Sequence, residues 1–265
     1  MPVYSIPIGG THYTEKQLIN ILRNNVPDPG IDDPNARTGT GHGAIRDADA
    51  TYAATGNAAT KIYTITPSEN GAPVVAIGSV TVGGSSMLFG WDYTIDWGDK
   101  FGTPDQRATK VIFVTEPANS AAIVIPYKYA KRITTQDGKL VAQGSFIGAG
   151  FSRGAQPPPR ITVLMESDEP EPVGIGDNWD STLQMGNYWH NMTFRITVMS
   201  LYADEAKELA GKVTNAIMVA AHDNNYLMPI IEVDRVLNID YDFEQKLYIV
   251  VISVSCKARQ LFGKP

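Results

Sequence analysis

The chain has 265 residues, 43% of them hydrophobic and 19% charged, which is enough apolar material to bury a core in one large domain or two modest ones. Acidic side chains outnumber basic ones 28 to 22, for a net charge of −6, which argues against gripping nucleic acid with the whole surface. No run approaches the ~20 apolar residues of a membrane span, and the opening Met1-Pro2-Val3-Tyr4 lacks the basic and apolar regions of a secretion signal.

Residues 2–10 read as an arm or a first strand. Thr14 and Gln17 then stand at capping-box spacing, and Leu18, Ile21 and Leu22 share an apolar helical face with Ile19 beside it. Asn24-Asn25-Val26-Pro27 stops the helix, which is expected over about residues 15–25. Residues 28–60 carry Asp28-Pro29-Gly30, Asp32-Asp33-Pro34 and Gly39-Thr40-Gly41-His42-Gly43 without a convincing period, and read as an extended loop or arm.

Residues 61–133 alternate as strands do. Ile62, Thr64 and Thr66 oppose Tyr63 and Ile65, residues 74–82 are rich in β-branched side chains, and Trp91, Tyr93, Ile95 and Trp97 fall on one strand face. Residues 110–115 and 121–129 are expected to pair across Glu116-Pro117-Ala118-Asn119-Ser120. With no helix signal in this stretch, 61–133 reads as an inserted β-sandwich-like domain.

Asp137-Gly138 predicts a hairpin turn, and Gln156-Pro157-Pro158-Pro159 a stiff connection. Residues 161–165 read as a short buried strand and 166–172, with acidic residues and prolines, as a solvated loop. Met192, Phe194, Ile196 and Val198 alternate with Thr193, Arg195 and Thr197 in a half-buried strand. A helix over about residues 204–221 follows. Its stripe is Ala206, Leu209, Ala210, Val213, Ile217 and Ala220, with Asp204 and Glu205 at its positive end and Glu208 paired to Lys212 outside. Residues 230–239 and 247–258 form a hairpin around Tyr241-Asp242-Phe243-Glu244. Tyr248, Val250, Ile252, Val254 and Cys256 share a face there, so the lone cysteine reads as a small buried apolar residue. The fold class is α+β: a mostly antiparallel sheet with two packed helices, built from residues 1–27 and 134–265, with the β domain inserted.

The chain offers little chemistry. His12, His42, His190 and His222 stand at no ligand spacing, and Tyr188-Trp189-His190 reads as packing. Asp47 and Asp49 lack the rest of a calcium loop, and Asp28, Asp32 and Asp33 read as a solvated turn cluster. The glycines at 39–43 lack the lysine of a phosphate loop, no Gly-x-Ser-x-Gly elbow occurs, and one cysteine allows neither an internal disulfide nor a thiolate zinc cluster. Asn191-Met192-Thr193 is a formal glycosylation sequon, which carries no meaning without a secretion signal. No catalytic, cofactor or metal set is therefore expected, and the chain reads as a non-enzyme. Trp91, Tyr93 and Trp97 have two readings, an exposed stacking surface for sugars or the core of the inserted domain. Lys128, Lys131 and Arg132 form a local basic cluster at a solvated strand end.

Residues 192–213, from Met192-Thr193-Phe194-Arg195 to Leu209-Ala210-Gly211-Lys212-Val213, resemble a strand–turn–helix element of tailed-bacteriophage proteins. With a helix before the sheet and a terminal strand pair after the second helix, about 120 residues are similar to the tail terminator family, also called tail-completion or head–tail joining proteins. Lys110-Val111-Ile112-Phe113 through Ile125-Pro126-Tyr127 likewise resembles a hairpin of phage tail β domains. The chain departs from that family in size, by the insertion.

The resemblance implies a virion protein assembled in the host cytoplasm as a ring, hexameric in the family, with no cofactor and no membrane. Such a ring caps the tail tube, meets the neck or connector and, in a contractile tail, the sheath. DNA passes its lumen without sequence recognition, past a mildly acidic wall. Subunit contacts are then expected on the first helix and the Asp242 loop, at Leu18, Arg23, Asp242 and Glu244. The alternatives are another neck, collar or baseplate component, or a glycan- or host-binding module using Trp91, Tyr93 and Trp97.

Overall fold

A computed structural model describes residues 11–30, 46–67, 72–97, 108–134, 140–142, 146–150, 158–172, 179–180, 185–222 and 230–263. The first helix, α1, is Thr11–Asn25. It starts before Thr14, so Thr14 and Gln17 lie buried inside it and are not a capping box. Leu18, Ile21 and Leu22 are wholly buried, with Ile19 and Asn20 beside them. At its end the side-chain amides of Asn24 and Asn25 donate to the carbonyls of Asn20 and Ile21, at 3.0 and 2.8 Å, covering acceptors the last turn leaves open.

Part of the stretch 28–60, expected to be a loop or arm, is a strand. Asp47–Thr55 is a strand, β1. Its alternation is faint in sequence because alanines occupy both faces, as in Ala48, Ala50 and Ala53. Residues 31–45, with Asp32, Asp33 and the glycine run, lie outside the described residues.

The inserted unit continues with β2 (Ile62–Thr64), β3 (Val74–Ile77), β4 (Thr81–Val82), β5 (Ser85–Ser86), β6 (Tyr93–Asp96), β7 (Lys110–Phe113) and β8 (Ala122–Ala130). One sheet runs β1-β8-β4-β5, with β3 also on β8; the other runs β2-β7-β6. Among the described residues 61–133 contain no helix. Residues 110–115 and 121–129, expected to pair, lie in different sheets. Val111 and Phe113 of β7 face the same core as Ile123, Ile125 and Tyr127 of β8. Packing face to face buries both apolar sets, whereas pairing would have placed them side by side in one sheet. The crossing is tight. Ser120 has φ 63°, and Gly56 bonds Ala121 and Ser120 at 2.8 and 2.9 Å. A Cβ at Gly56 would collide with the Ala118 carbonyl oxygen.

β9 (Arg132–Thr134) and β10 (Leu140–Ala142) pair antiparallel, as a hairpin turn at Asp137-Gly138 requires, although the turn itself is outside the described residues. Gln156 and Pro157 are outside them too, and the Pro158–Pro159 peptide is cis.

The remaining strands are β11 (Ile147–Ala149), β12 (Arg160–Pro172), β13 (Trp179–Asp180), β14 (Met185–Ser200), β15 (Ile230–Val236), β16 (Asp240–Asp242) and β17 (Leu247–Gly263). The second helix, α2, is Ala203–His222. Among the described residues these strands form one sheet, β11-β12-β14-β17-β15, with β13 on β14 and β16 on β17. Only β11–β12 is parallel. The fold is thus α+β with a mostly antiparallel sheet.

The acidic stretch 166–172 is strand rather than loop, continuing β12 past an irregularity between Met165 and Ser167. Its acids have cross-strand partners. Glu166 meets Arg195 at 2.5 Å, Asp168 meets His190 at 2.8 Å and Glu171 meets Lys257 at 3.2 Å. Pairing of this kind lets a charged, proline-containing segment lie along a sheet.

Both helices pack on one face of this sheet, against Phe194, Ile196, Val198, Val250, Ile252 and Val254. Thr193, Arg195, Thr197, Val251, Ser253 and Ser255 point the other way. The final hairpin turns at residues 243–246, with Lys246 at φ 57°, because β16 pairs with the start of β17.

Candidate functional site

Of the two expected contact residues on α1, Leu18 is internal and Arg23 is half-buried. Leu18 is fully buried in the core between α1, α2 and the sheet. Arg23 binds the molecule to itself. Its Nε and Nη2 donate to the Ile147 carbonyl at 2.9 and 2.6 Å, and Nη1 donates to the Val75 carbonyl at 2.5 Å. Burial lowers its pKa to about 10, with the nearby Asp47 charge opposing that shift. Leu18 is therefore corrected from a subunit contact to an internal residue, while Arg23 is half-buried with its guanidinium engaged within the chain. A helix with one clear apolar stripe suggests an outer face, but here a second unit packs on that face too.

The residues around Arg23 form a polar junction between the inserted unit and the large sheet. Asn20 Oδ1 accepts from the Ile77 N–H at 2.8 Å, and Asn20 Nδ2 donates to the Ile77 carbonyl at 3.1 Å. Asn24 Nδ2 donates to that carbonyl as well, at 2.8 Å. The α1 side chains thus satisfy the backbone of β3 as a neighbouring strand would.

Arg46 closes the junction, and it is buried at 2% exposure. Its Nη2 donates to Asp28 Oδ1 at 2.7 Å, its backbone N–H to Asp28 Oδ2 at 2.8 Å and its Nη1 to the Pro159 carbonyl at 2.7 Å. The guanidinium lies 4.8 Å from the Phe146 ring centre. Burial alone would raise the Asp28 pKa. The Arg46 hydrogen bonds and charge, with the Gly30 N–H, outweigh it and hold the carboxyl below its ordinary value. Sequence reasoning missed this pair because its members are 18 positions apart across an unpatterned stretch.

The Asp242 loop is exposed and ordered. Asp242 Oδ1 accepts from the N–H groups of Glu244 and Gln245 at 2.9 and 3.0 Å, so that carboxylate holds the turn. Glu244 is exposed. Phe243 is 83% exposed, edge-on to Tyr241 at 5.0 Å, and Tyr241 meets Tyr248 at 4.9 Å. Beside this hairpin a cavity of about 620 Å³ opens between α2 and residues 236–239. Met218, Val236 and Leu237 line it and are themselves exposed, with Gly211 between helix and strand. Its sequence signal was Met218, an apolar residue off the α2 stripe.

The aromatic set does not form a flat surface. Tyr93 is buried against Phe89 at 5.5 Å and Phe113 at 6.2 Å, and Trp97 packs on the same core. Trp91 precedes β6 in a turn and is 62% exposed. The core reading describes Tyr93 and Trp97, while Trp91 stands apart.

His190 Nδ1 and Asp168 Oδ1 are a cross-strand pair at 2.8 Å. Lys128 bonds Asp49 at 3.1 Å. Cys256 is buried, and that burial pushes its thiol up to about 12. The side chains of His12, His42 and His222 are outside the described residues. Among the described residues no three His, Cys, Asp or Glu side chains could hold a metal together, and no helix is long and apolar enough to cross a membrane. Compared with known proteins, the sequence matches no family model and no curated protein.

Proposed function

We propose that the chain is a structural ring protein of the tail terminator or neck type, which caps the head-proximal end of a phage tail tube and joins it to the neck. The observation that carries this reading is the order helix, insertion, long strand, helix and terminal hairpin, assembled as one sheet with both helices on one face. That is the order of elements on which the sequence resemblance rests. The exposed Phe243 turn, with Glu244, and the apolar cavity along α2 supply surfaces suited to a neighbouring subunit. Partners under this reading are further copies of the chain, the tube protein, neck or connector proteins and, in a contractile tail, the sheath. DNA threads the lumen without sequence recognition, and no cofactor or catalysis is involved. The net charge of −6 suits a wall past which phosphates slide.

Negative-stain microscopy and light scattering of the purified protein, alone and with tail tubes, test the proposal. Closed rings, free or on tube ends, are the expected result. A protein that stays monomeric at every concentration and leaves tubes uncapped overturns it.

A further inference from the structure

We infer that the exposed Phe243 turn of one copy seats in the cavity beside α2 of a second copy of this chain, with Glu244 against Lys207. The inference rests on the ring reading and names the contact that closes such a ring.

The turn presents an aromatic ring to water. Phe243 is the most exposed large apolar side chain among the described residues, at 83%. The Asp242 carboxylate fixes the turn through the N–H groups of Glu244 and Gln245, and Tyr241 stands edge-on at the base of the ring. A side chain of this kind buries roughly 150–250 Å² when a pocket receives it, and it loses little freedom because the turn already holds it.

The cavity is apolar and open. Met218 on α2 and Val236 and Leu237 on the facing edge are 55, 49 and 38% exposed across a space of about 620 Å³. The chain's own Phe243 does not fill it. Ile239, on the cavity wall, lies four residues before Phe243, roughly 13 Å away along an extended strand.

Gly211 lies on the helical wall of the cavity. A Cβ built there meets nothing within 4 Å, so packing inside the chain does not call for glycine. Glycine inside a helix is destabilising relative to alanine. What it does here is keep the cavity clear, which matters only if something enters.

Charge selects the same occupant. Lys207 is the one charged residue among those lining the cavity, whereas the Phe243 turn carries Asp240, Asp242 and Glu244 against Lys246. Opposite charges at a rim fix orientation and register. Turn and cavity are different patches of one molecule. The contact is therefore heterologous, and each copy gives one turn and takes one, as a closed ring requires.

Assembly of the full chain, read by sedimentation and negative-stain microscopy with and without tail tubes, tests the contact. Phe243→Ala is expected to weaken each contact roughly 30-fold, the loss typical of a seated aromatic anchor, with an unchanged circular dichroism spectrum. Gly211→Leu places a side chain in the cavity. It is expected to hold or raise the unfolding temperature, because leucine is the better helix former, and to abolish rings. Glu244→Lys and Lys207→Glu are each expected to weaken assembly roughly fivefold, and the double variant to restore it. Rings of wild-type strength from Phe243→Ala or Gly211→Leu, or a double variant no better than the single ones, overturn the inference and leave the ring reading standing. A wild-type chain that stays monomeric with and without tubes overturns both.

Discussion

The two cores of this protein are built from different material. Among the described residues, the 25 buried ones around the large sheet include two aromatic side chains, Phe146 and Phe194. Among those of the inserted unit, five of 12 are aromatic: Tyr63, Phe89, Tyr93, Phe113 and Tyr127. The reason is geometric. Strands of 13, 16 and 17 residues give the large sheet many apolar positions, and Ala206, Ala210, Ala216 and Ala220 let α2 lie close against it. The inserted unit has core strands of two to nine residues and must fill a gap of about 10 Å between sheets with few side chains, so each is large. A long-stranded layer can spread its stability over many modest contacts, whereas a small sandwich concentrates it in a few rings.

Four substitutions would break or sharpen that contrast. The largest effect is expected at the centre of the long-stranded layer. Ile252 lies in β17, paired to Ile196 on one side and Val236 on the other. Ile252→Pro removes a ladder donor with sheet on both sides and is expected to abolish folding. An unchanged circular dichroism spectrum would show that the layer does not depend on this strand.

At the junction, Arg46→Ala leaves the Asp28 carboxylate buried without its partner, for an expected loss of about 3–5 kcal/mol in urea unfolding. The pair also sets a pH dependence. The folded pKa of Asp28 is depressed, so its contribution is complete above the unfolded value of about 3.9 and is lost as pH falls through the lower folded value. Arg46→Ala should flatten that acid limb. An acid limb identical to wild type would assign it to other carboxyls.

In the inserted unit, Phe113→Ala is expected to cost about 3–5 kcal/mol and to lower the unfolding of that unit alone. A single transition shifted as a whole would mean that the polar junction couples the two cores fully. The smallest effect belongs to the surface of α2. Glu208 and Lys212 meet at 2.6 Å as an exposed pair, and Glu208→Lys should change stability by about 0.5 kcal/mol or less.

Legibility followed the same divide. Helix α2 runs Ala203–His222 against an expected 204–221, because Leu209, Val213 and Ile217 repeat at helical spacing and are buried where the stripe put them. The face shared by Val250, Ile252, Val254 and Cys256 is the core face of β17. In the inserted unit, residues after 60 were legible as strands, but β1 was not, nor were the strands' partners. β7 and β8 each alternate, and nothing local says whether two adjacent alternating strands pair or face each other. Of the residues singled out as contacts, Asp242 and Glu244 sit on an exposed turn, whereas Leu18 is wholly buried and half-buried Arg23 donates to carbonyls of its own chain. The acids of residues 166–172 looked like loop because their partners, Arg195, His190 and Lys257, lie between 22 and 86 positions away in the chain.

Composition and periodicity by themselves determined the α+β class, both helices, the terminal hairpin and the buried state of Cys256. These rest on spacings of two and of three to four residues, which the backbone imposes locally. Only the tertiary structure decided which strands share a sheet, which face of α1 is covered, where Asp28 finds Arg46, and that residues 47–55 form a strand. Each of these depends on what arrives from a distant part of the chain, and a local pattern carries no record of that.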